Sequence, residues 1–257
     1  MNTRLLLIGL AAIVPSLSAQ TIVPSETAAP AVDPLDDYAE YDAPRVSDPL
    51  EPVNRAVFKF NDVVYDKALW PVARGYEKVV PSPVRTGLVN FYDNIRYPVR
   101  LVGSLLQGKF KRAGRETGKF VVNTTAGLGG FIRQSDKIPE LANVPREDMG
   151  QAFGAWGIGH GPYLVLPILG GVSSRDLVGR VGDTFASPLG WKYPEWGNRE
   201  WTDELDWEWQ LAITGTDTIS SLPGGLRIYR EMKSSALDPY LSVRDGTISY
   251  RDEQVAR

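Results

Sequence analysis

Proline sets where helices can begin and end in the first ordered stretch of this 257-residue chain. A proline fits the first turn of a helix, where its missing N–H is not needed, and disrupts the turns beyond. In Ser47-Asp48-Pro49-Leu50-Glu51, Asp48 is placed to cap a helix, Pro49 to occupy its first position and Glu51 to complete a capping box. Pro52 offers a second start one turn later. Pro71 ends this element, Ser82-Pro83 opens the next, and Tyr97-Pro98 breaks that one after about Arg96. A short apolar helix with Val99, Leu101, Val102, Leu105 and Leu106 follows and stops at Gly108.

Within the first helix, Val53, Ala56, Val57, Phe60, Val63 and Val64 form one stripe, and Phe58, Tyr65 and Leu69 form a second, displaced by more than ~90°. A helix with one wet face needs a single stripe. Two stripes fit either a helix sunk in a large core or one with protein on one side and lipid on the other. From Lys109 to Thr125, Lys111, Arg115 and Lys119 recur every fourth residue beside Arg112. Such a face suits solvent or anionic lipid headgroups. Glycine dominates the centre, at 127, 129 and 130 and again at 154, 157, 159 and 161, and helical stretches return around 203–214 and 226–235. No internal repeat is present.

The N-terminus predicts export. Arg4, an apolar run from Leu5 to Val14 and small residues at Ser16, Ser18 and Ala19 read as a signal peptide over 1–19. Its ten apolar residues fall short of the ~20 that span a bilayer. Residues 20–46 carry four prolines and six acids against one arginine, too polar to offset the entropy of ordering, and read as a disordered tether. The folded domain is expected over 47–257. Pro162 to Val172, the most apolar later stretch, holds two prolines and two glycines and does not suit a spanning helix.

The residues that carry chemistry are sparse. One histidine and no cysteine leave no thiol nucleophile, no disulfide and no ordinary metal set, and no cofactor is expected. The net charge of −3 gives no reason to expect nucleic acid. His160 lies among glycines with no nucleophile in a motif around it, so an incidental role is expected. Gly127 to Gly130 lacks the lysine and hydroxyl of a phosphate loop. Asp203, Glu204, Asp206 and Glu208 offer the carboxylate pairs of a glycosidase, as any acidic helix does. Five tryptophans (Trp191, Trp196, Trp201, Trp207 and Trp209) crowd the same segment, and such residues gather where an apolar body meets a wet edge. The chain is not expected to be an enzyme.

From about residue 47 to 252 the sequence resembles the MlaA (VacJ) family. The resemblance rests on Ser47-Asp48-Pro49-Leu50-Glu51 with Asn54-Arg55, on Phe58, Phe60 and Asn61, and on Pro81 to Asn90. It continues through Asn123-Thr124 with Gly127 to Ile132, the centre from Phe153-Gly154 to Arg175-Asp176, and Asp238-Pro239-Tyr240 with Arg244. It implies an all-α, ring-like helical domain embedded in the inner leaflet of the outer membrane, with a central amphipathic channel. It implies removal of mislocalised phospholipids from the outer leaflet, association with a trimeric porin and delivery to a periplasmic carrier of the MlaC type. The channel candidates are Phe58, Phe60, Asn61, Gly127, Gly129, Gly130, Phe131, Gly159, Gly161, Pro162 and Tyr163, and the five clustered tryptophans are the membrane-interface candidates. Many members carry a lipidated cysteine just after the signal peptide, whereas this chain has none, and Gly171 stands where a proline is common. Competing readings are a soluble periplasmic carrier of hydrophobic molecules and a periplasmic hydrolase using the acids around Asp203.

Overall fold

The computed structural model describes residues 46–189, 207–234 and 236–257, with no side chains for 207–210. The expected signal peptide and nearly all of the tether lie outside the described residues. Helix α1 spans Glu51–Val64 and runs through a π-helical turn, Tyr65–Leu69, into α2, Trp70–Val79. The break expected at Pro71 therefore does not occur. In the wider turn the Trp70 N–H reaches back to Tyr65, and Pro71 falls in the first turn of the segment that resumes. The later prolines act as expected. Pro83 and Pro98 sit in the first turns of α3, Ser82–Ile95, and α4, Tyr97–Leu106. Gly108, at φ 69°, turns the chain into α5, Phe110–Thr125. A tight turn, a 3-10 turn at Gln134–Lys137 and the single turn α6, Pro139–Ala142, follow.

Helix α7, Met149–Ala155, is capped by Asp148, whose carboxylate accepts from the Gln151 N–H at 2.8 Å. Among the described residues a small antiparallel hairpin interrupts the run of helices: β1, Tyr163–Leu166, pairs with β2, Gly170–Ser173, Tyr163 standing opposite Ser173 and Leu166 opposite Gly170. Ser173 then caps α8, Ser174–Ala186. The two helical stretches expected after residue 203 form one helix, α9, Trp207–Ser234, with Pro223 inside it. Helix α10, Pro239–Ala256, completes the chain, its N-terminus capped by Asp238.

The first and last parts of the chain close on one another. Asp48 does not cap α1, whose N-terminus has no side-chain cap. It receives the Tyr240 hydroxyl and an Arg244 N–H from α10, and the Asn54 amide at 2.8 Å. Arg55 grips Asp238 with both guanidinium nitrogens, at 2.8 and 3.2 Å, and its charge lies 4.5 Å from the centre of the Tyr240 ring. On the next turns, Asp66 receives Arg230 at 2.6 Å and Asp62 pairs with Lys233, while Arg230 covers the Trp70 ring. The opening and closing signatures, nearly 190 residues apart, are one junction.

Apolar packing at that junction is small. Tyr163, Val165, Tyr240 and Ile248 form the buried cluster, flanked by Val57, Phe58 and Leu241. Phe58 meets Tyr240 edge-on at 5.6 Å, and Tyr65 meets Tyr229 at 5.0 Å. The second stripe of α1 thus faces protein.

Candidate functional site

The interior is more polar than a globular core. Among the described residues, 17 polar or charged residues are buried against 11 hydrophobic ones. Apolar side chains lie outside instead. On α1 much of the first stripe stands in the open, with Val53 58%, Phe60 51% and Val63 52% exposed, while Val57 leans on the junction cluster. Val178, Val181 and Phe185 do the same on α8, and Leu128, Phe131 and Ile132 in the turn after α5. Isolated exposed apolar residues are ordinary, but apolar stripes along helices mark a surface that meets something apolar. Among the described residues no helix is long and apolar enough to cross a membrane.

Two charged clusters fill much of the inside. The first joins α3, α4, α5 and the segment before α7. Asp93 receives Arg100 at 3.4 Å, Arg133 at 3.1 Å and Arg146 at 2.9 Å, and Arg100 also binds Glu116 at 2.6 Å. Burial alone would raise the Asp93 carboxyl, but Arg100, Arg146 and Arg133 outweigh it and hold it well below the usual range. Lys119, one turn beyond Glu116, is buried with them. Beside this cluster, the fully buried Glu147 takes the Gln107 amide at 2.6 Å, Lys109 at 3.2 Å and Arg112. The basic stripe of α5 therefore splits: Lys111 and Arg115 stay outside, while Arg112 turns inward to Glu147 and Lys119 is buried beside the Asp93 cluster, neither of which the spacing revealed.

The second cluster ties α7, α8 and α10. Arg251 binds both Asp148 oxygens, at 2.7 and 2.8 Å, and Asp176 Oδ1 at 3.0 Å, the oxygen that also receives Arg175 at 3.2 Å. Burial and the neighbouring Asp148 push Asp183 up to about 7.

The candidate channel residues fall in two places. Gly127 to Phe131 forms the tight turn after α5, docked on α3. A Cβ at Gly127 would collide with the Ile132 and Asn123 carbonyls, and one at Gly130 would lie 2.5 Å from the Asn94 side chain. Gly129 has φ 70° but open space, and Phe131 stacks on Phe91 at 4.8 Å. Gly159, Gly161 and Pro162 lie exposed on the approach to β1, while Tyr163 is buried. Phe58 belongs to the junction core and Phe60 to the exposed stripe. Asn61 is buried, its amide donating to the Leu166 carbonyl at 2.9 Å and accepting from the Ile168 N–H at 2.6 Å. His160 pairs with Asp252 at 2.6 Å. Trp191, Trp196, Trp201, Asp203, Glu204 and Asp206 lie outside the described residues, and Trp207, Trp209 and Glu208 are described in backbone only. The two buried charge clusters were not singled out as a site by sequence, because a helical charge pattern does not say which face turns inward.

Residues 46–254 match the family model described as MlaA lipoprotein. The chain is 32% identical over 200 residues to the intermembrane phospholipid transport system lipoprotein MlaA of Haemophilus influenzae, covering 77% of this chain and 75% of that one. It is 33% identical over 208 residues to the protein of the same description from Escherichia coli K12, covering 80% and 77%. A solved structure presented as the structural basis for maintenance of bacterial outer membrane lipid asymmetry superposes with a TM-score of 0.66 at 30% identity. That match covers 81% of this chain and 99% of the other.

Proposed function

This chain belongs to the MlaA family, and on that premise we propose that it lies in the periplasmic leaflet of the outer membrane and passes phospholipid through a polar path in its helical ring. Its function is phospholipid transport that maintains outer-membrane lipid asymmetry. The inverted distribution of side chains carries the finer reading: charged clusters inside, apolar stripes on α1 and α8 outside. A phospholipid has an ionic head and two apolar tails, so a ring that is apolar at its rim and polar within gives each part a matching surface. Lipid moves from the outer leaflet to a periplasmic carrier of the MlaC type, with the ring held beside a trimeric porin. No cysteine is present to take an acyl chain, so the apolar rim and these partners provide attachment. A single chain would add only marginal binding. No catalytic step or cofactor is part of this proposal.

The glycine segments 127–130 and 154–161 supply the wall or hinge of the path. Gly159 is the cleaner probe, because it has open space around it, whereas Gly129 has a positive φ that a β-branched residue strains. In cells lacking the native copy, Gly159→Val is expected at normal abundance in the membrane but with raised surface phospholipid and detergent sensitivity. Wild-type asymmetry would remove this segment from the path. Deletion of the whole gene without any change in asymmetry would overturn the functional reading.

A further inference from the structure

Around Asp93 the cations outnumber the acids among the described ion pairs. Four cations (Arg100, Lys119, Arg133 and Arg146) share two described acids, Asp93 and Glu116. Three of the cations reach one of those acids within 3.4 Å. Lys119 reaches neither: although only 7% exposed, its ammonium makes no hydrogen bond and no ion pair among the described residues. The same cluster leaves the Glu116 Oε1 atom buried with no partner. Burial and the nearby Arg100 and Arg146 lower the Lys119 pKa, while Glu116 and Asp93 oppose them.

Holding a mostly buried ammonium without a protein hydrogen-bond partner is costly, and nearby cations raise that cost. Removing the lysine would relieve it, so stability gives no reason for a charged group here. The cluster also reaches the surface, since the Arg133 and Arg146 side chains remain 30% and 24% exposed. A monovalent anion arriving beside them would meet several cations within reach of Lys119.

We propose that Lys119, with Arg133 and Arg146, forms a binding site for the phosphodiester of a phospholipid headgroup in passage. The proposal rests on the phospholipid-transport reading and adds the residues that grip the head. A phosphodiester fits: it carries one charge and two free oxygens, and guanidinium and ammonium groups both bind it well. The ligand does not need to displace Asp93, which already has three arginines.

The test uses the mature full-length chain in a non-ionic detergent, with native mass spectrometry counting bound lipid. The probes are dioleoylphosphatidylglycerol, dioleoylglycerol, which lacks the phosphate, and inorganic phosphate as competitor. The wild-type protein is expected to retain phosphatidylglycerol and not dioleoylglycerol. Lys119→Gln should lose retention roughly 10-fold or more, and Lys119→Arg should restore it. The thermal midpoint of Lys119→Gln should stay level or rise by about 2–4 °C, as expected when an uncompensated buried charge is removed. Undiminished lipid retention by Lys119→Gln would overturn the site, and so would a fall in thermal midpoint without loss of lipid, which marks a structural lysine. Displacement of the lipid by equimolar inorganic phosphate would make this a free-anion site and not a headgroup site. Outer-leaflet phospholipid measured in deleted cells separates the two failures. If deletion disturbs asymmetry and Lys119→Gln binds normally, only this inference fails. If deletion leaves asymmetry intact, the transport reading fails with it.

Discussion

At the scale of single residues, two asparagines show how the small hairpin persists on a helical body. Asn54 and Asn61 lie two turns apart on one face of α1 and are both buried. The Asn54 side chain donates to the Tyr163 carbonyl at 3.0 Å and accepts from the Val165 N–H at 2.9 Å. That is the pairing a neighbouring strand would supply to an exposed edge. Asn61 does the same at Leu166 and Ile168. Replacing Asn54 with leucine keeps the volume and leaves a buried carbonyl and N–H unpaired. We expect a loss of about 2–4 kcal/mol in chemical denaturation, and faster hydrogen exchange at the Val165 amide. A change below about 0.5 kcal/mol would mean that water replaces the side chain freely. Sequence drew attention to Asn54, Asn61 and Asp48 as motif positions but did not reveal their work. Their partners lie more than 100 residues away, except for the bond between Asp48 and Asn54, and Asp48 serves α10 in place of the local cap its spacing suggested.

At the scale of elements, the boundaries of α3, α4 and α5 were legible because local chemistry sets them: Pro83 and Pro98 in first turns, Gly108 with φ 69° between helices. The continuous α1–α2 run was not legible, since a π turn before Pro71 is an accommodation that no composition signals. The hairpin escaped for another reason: its strands are four residues each, and part of their edge pairing comes from side chains of α1. Helix contacts are likewise set by glycines whose roles differ with surroundings. A Cβ on Gly179 of α8 would collide with the backbone of Gly150 at the start of α7, whereas one on Gly114 of α5 would meet open space. Gly179→Ala is therefore expected to destabilise by about 1–3 kcal/mol, by forcing two packed helices apart. Gly114→Ala should instead stabilise by about 0.5–1 kcal/mol, because alanine has less backbone freedom to lose and no neighbour to displace. Urea midpoints of the two variants check the pair, and the same sign for both would refute the packing argument.

At the scale of the whole molecule, the distribution of polarity bears on what surrounds the domain. A water-soluble carrier would place apolar residues inside, facing its cargo. Among the described residues the buried set is mainly polar, and Val53, Phe60 and Val63 of the first stripe of α1 point away from the protein. Sequence predicted two-sided coverage of this helix but left open which stripe faced the protein. Phe58 and Tyr65 answer that, meeting Tyr229 and Tyr240. On the function proposed above the opposite stripe sits in lipid, and its position makes that testable without damage to the fold. Val53, Phe60 and Val63 are each more than half exposed. Changing all three to glutamate should leave the melting temperature in detergent nearly unaltered, as substitutions away from packed neighbours usually do. Attachment should change sharply. Wild-type protein is expected to stay with the outer membrane through a wash at ~1 M salt, where the Debye length falls to about 3 Å and electrostatic attachment is screened. The triple variant should pass largely into the soluble fraction, because charge on that face would have to enter hydrocarbon. Release of the wild-type protein by salt alone would favour the soluble-carrier reading. Retention of a folded triple variant would show that another surface, such as the apolar face of α8 with Val178, Val181 and Phe185, holds the ring in the membrane.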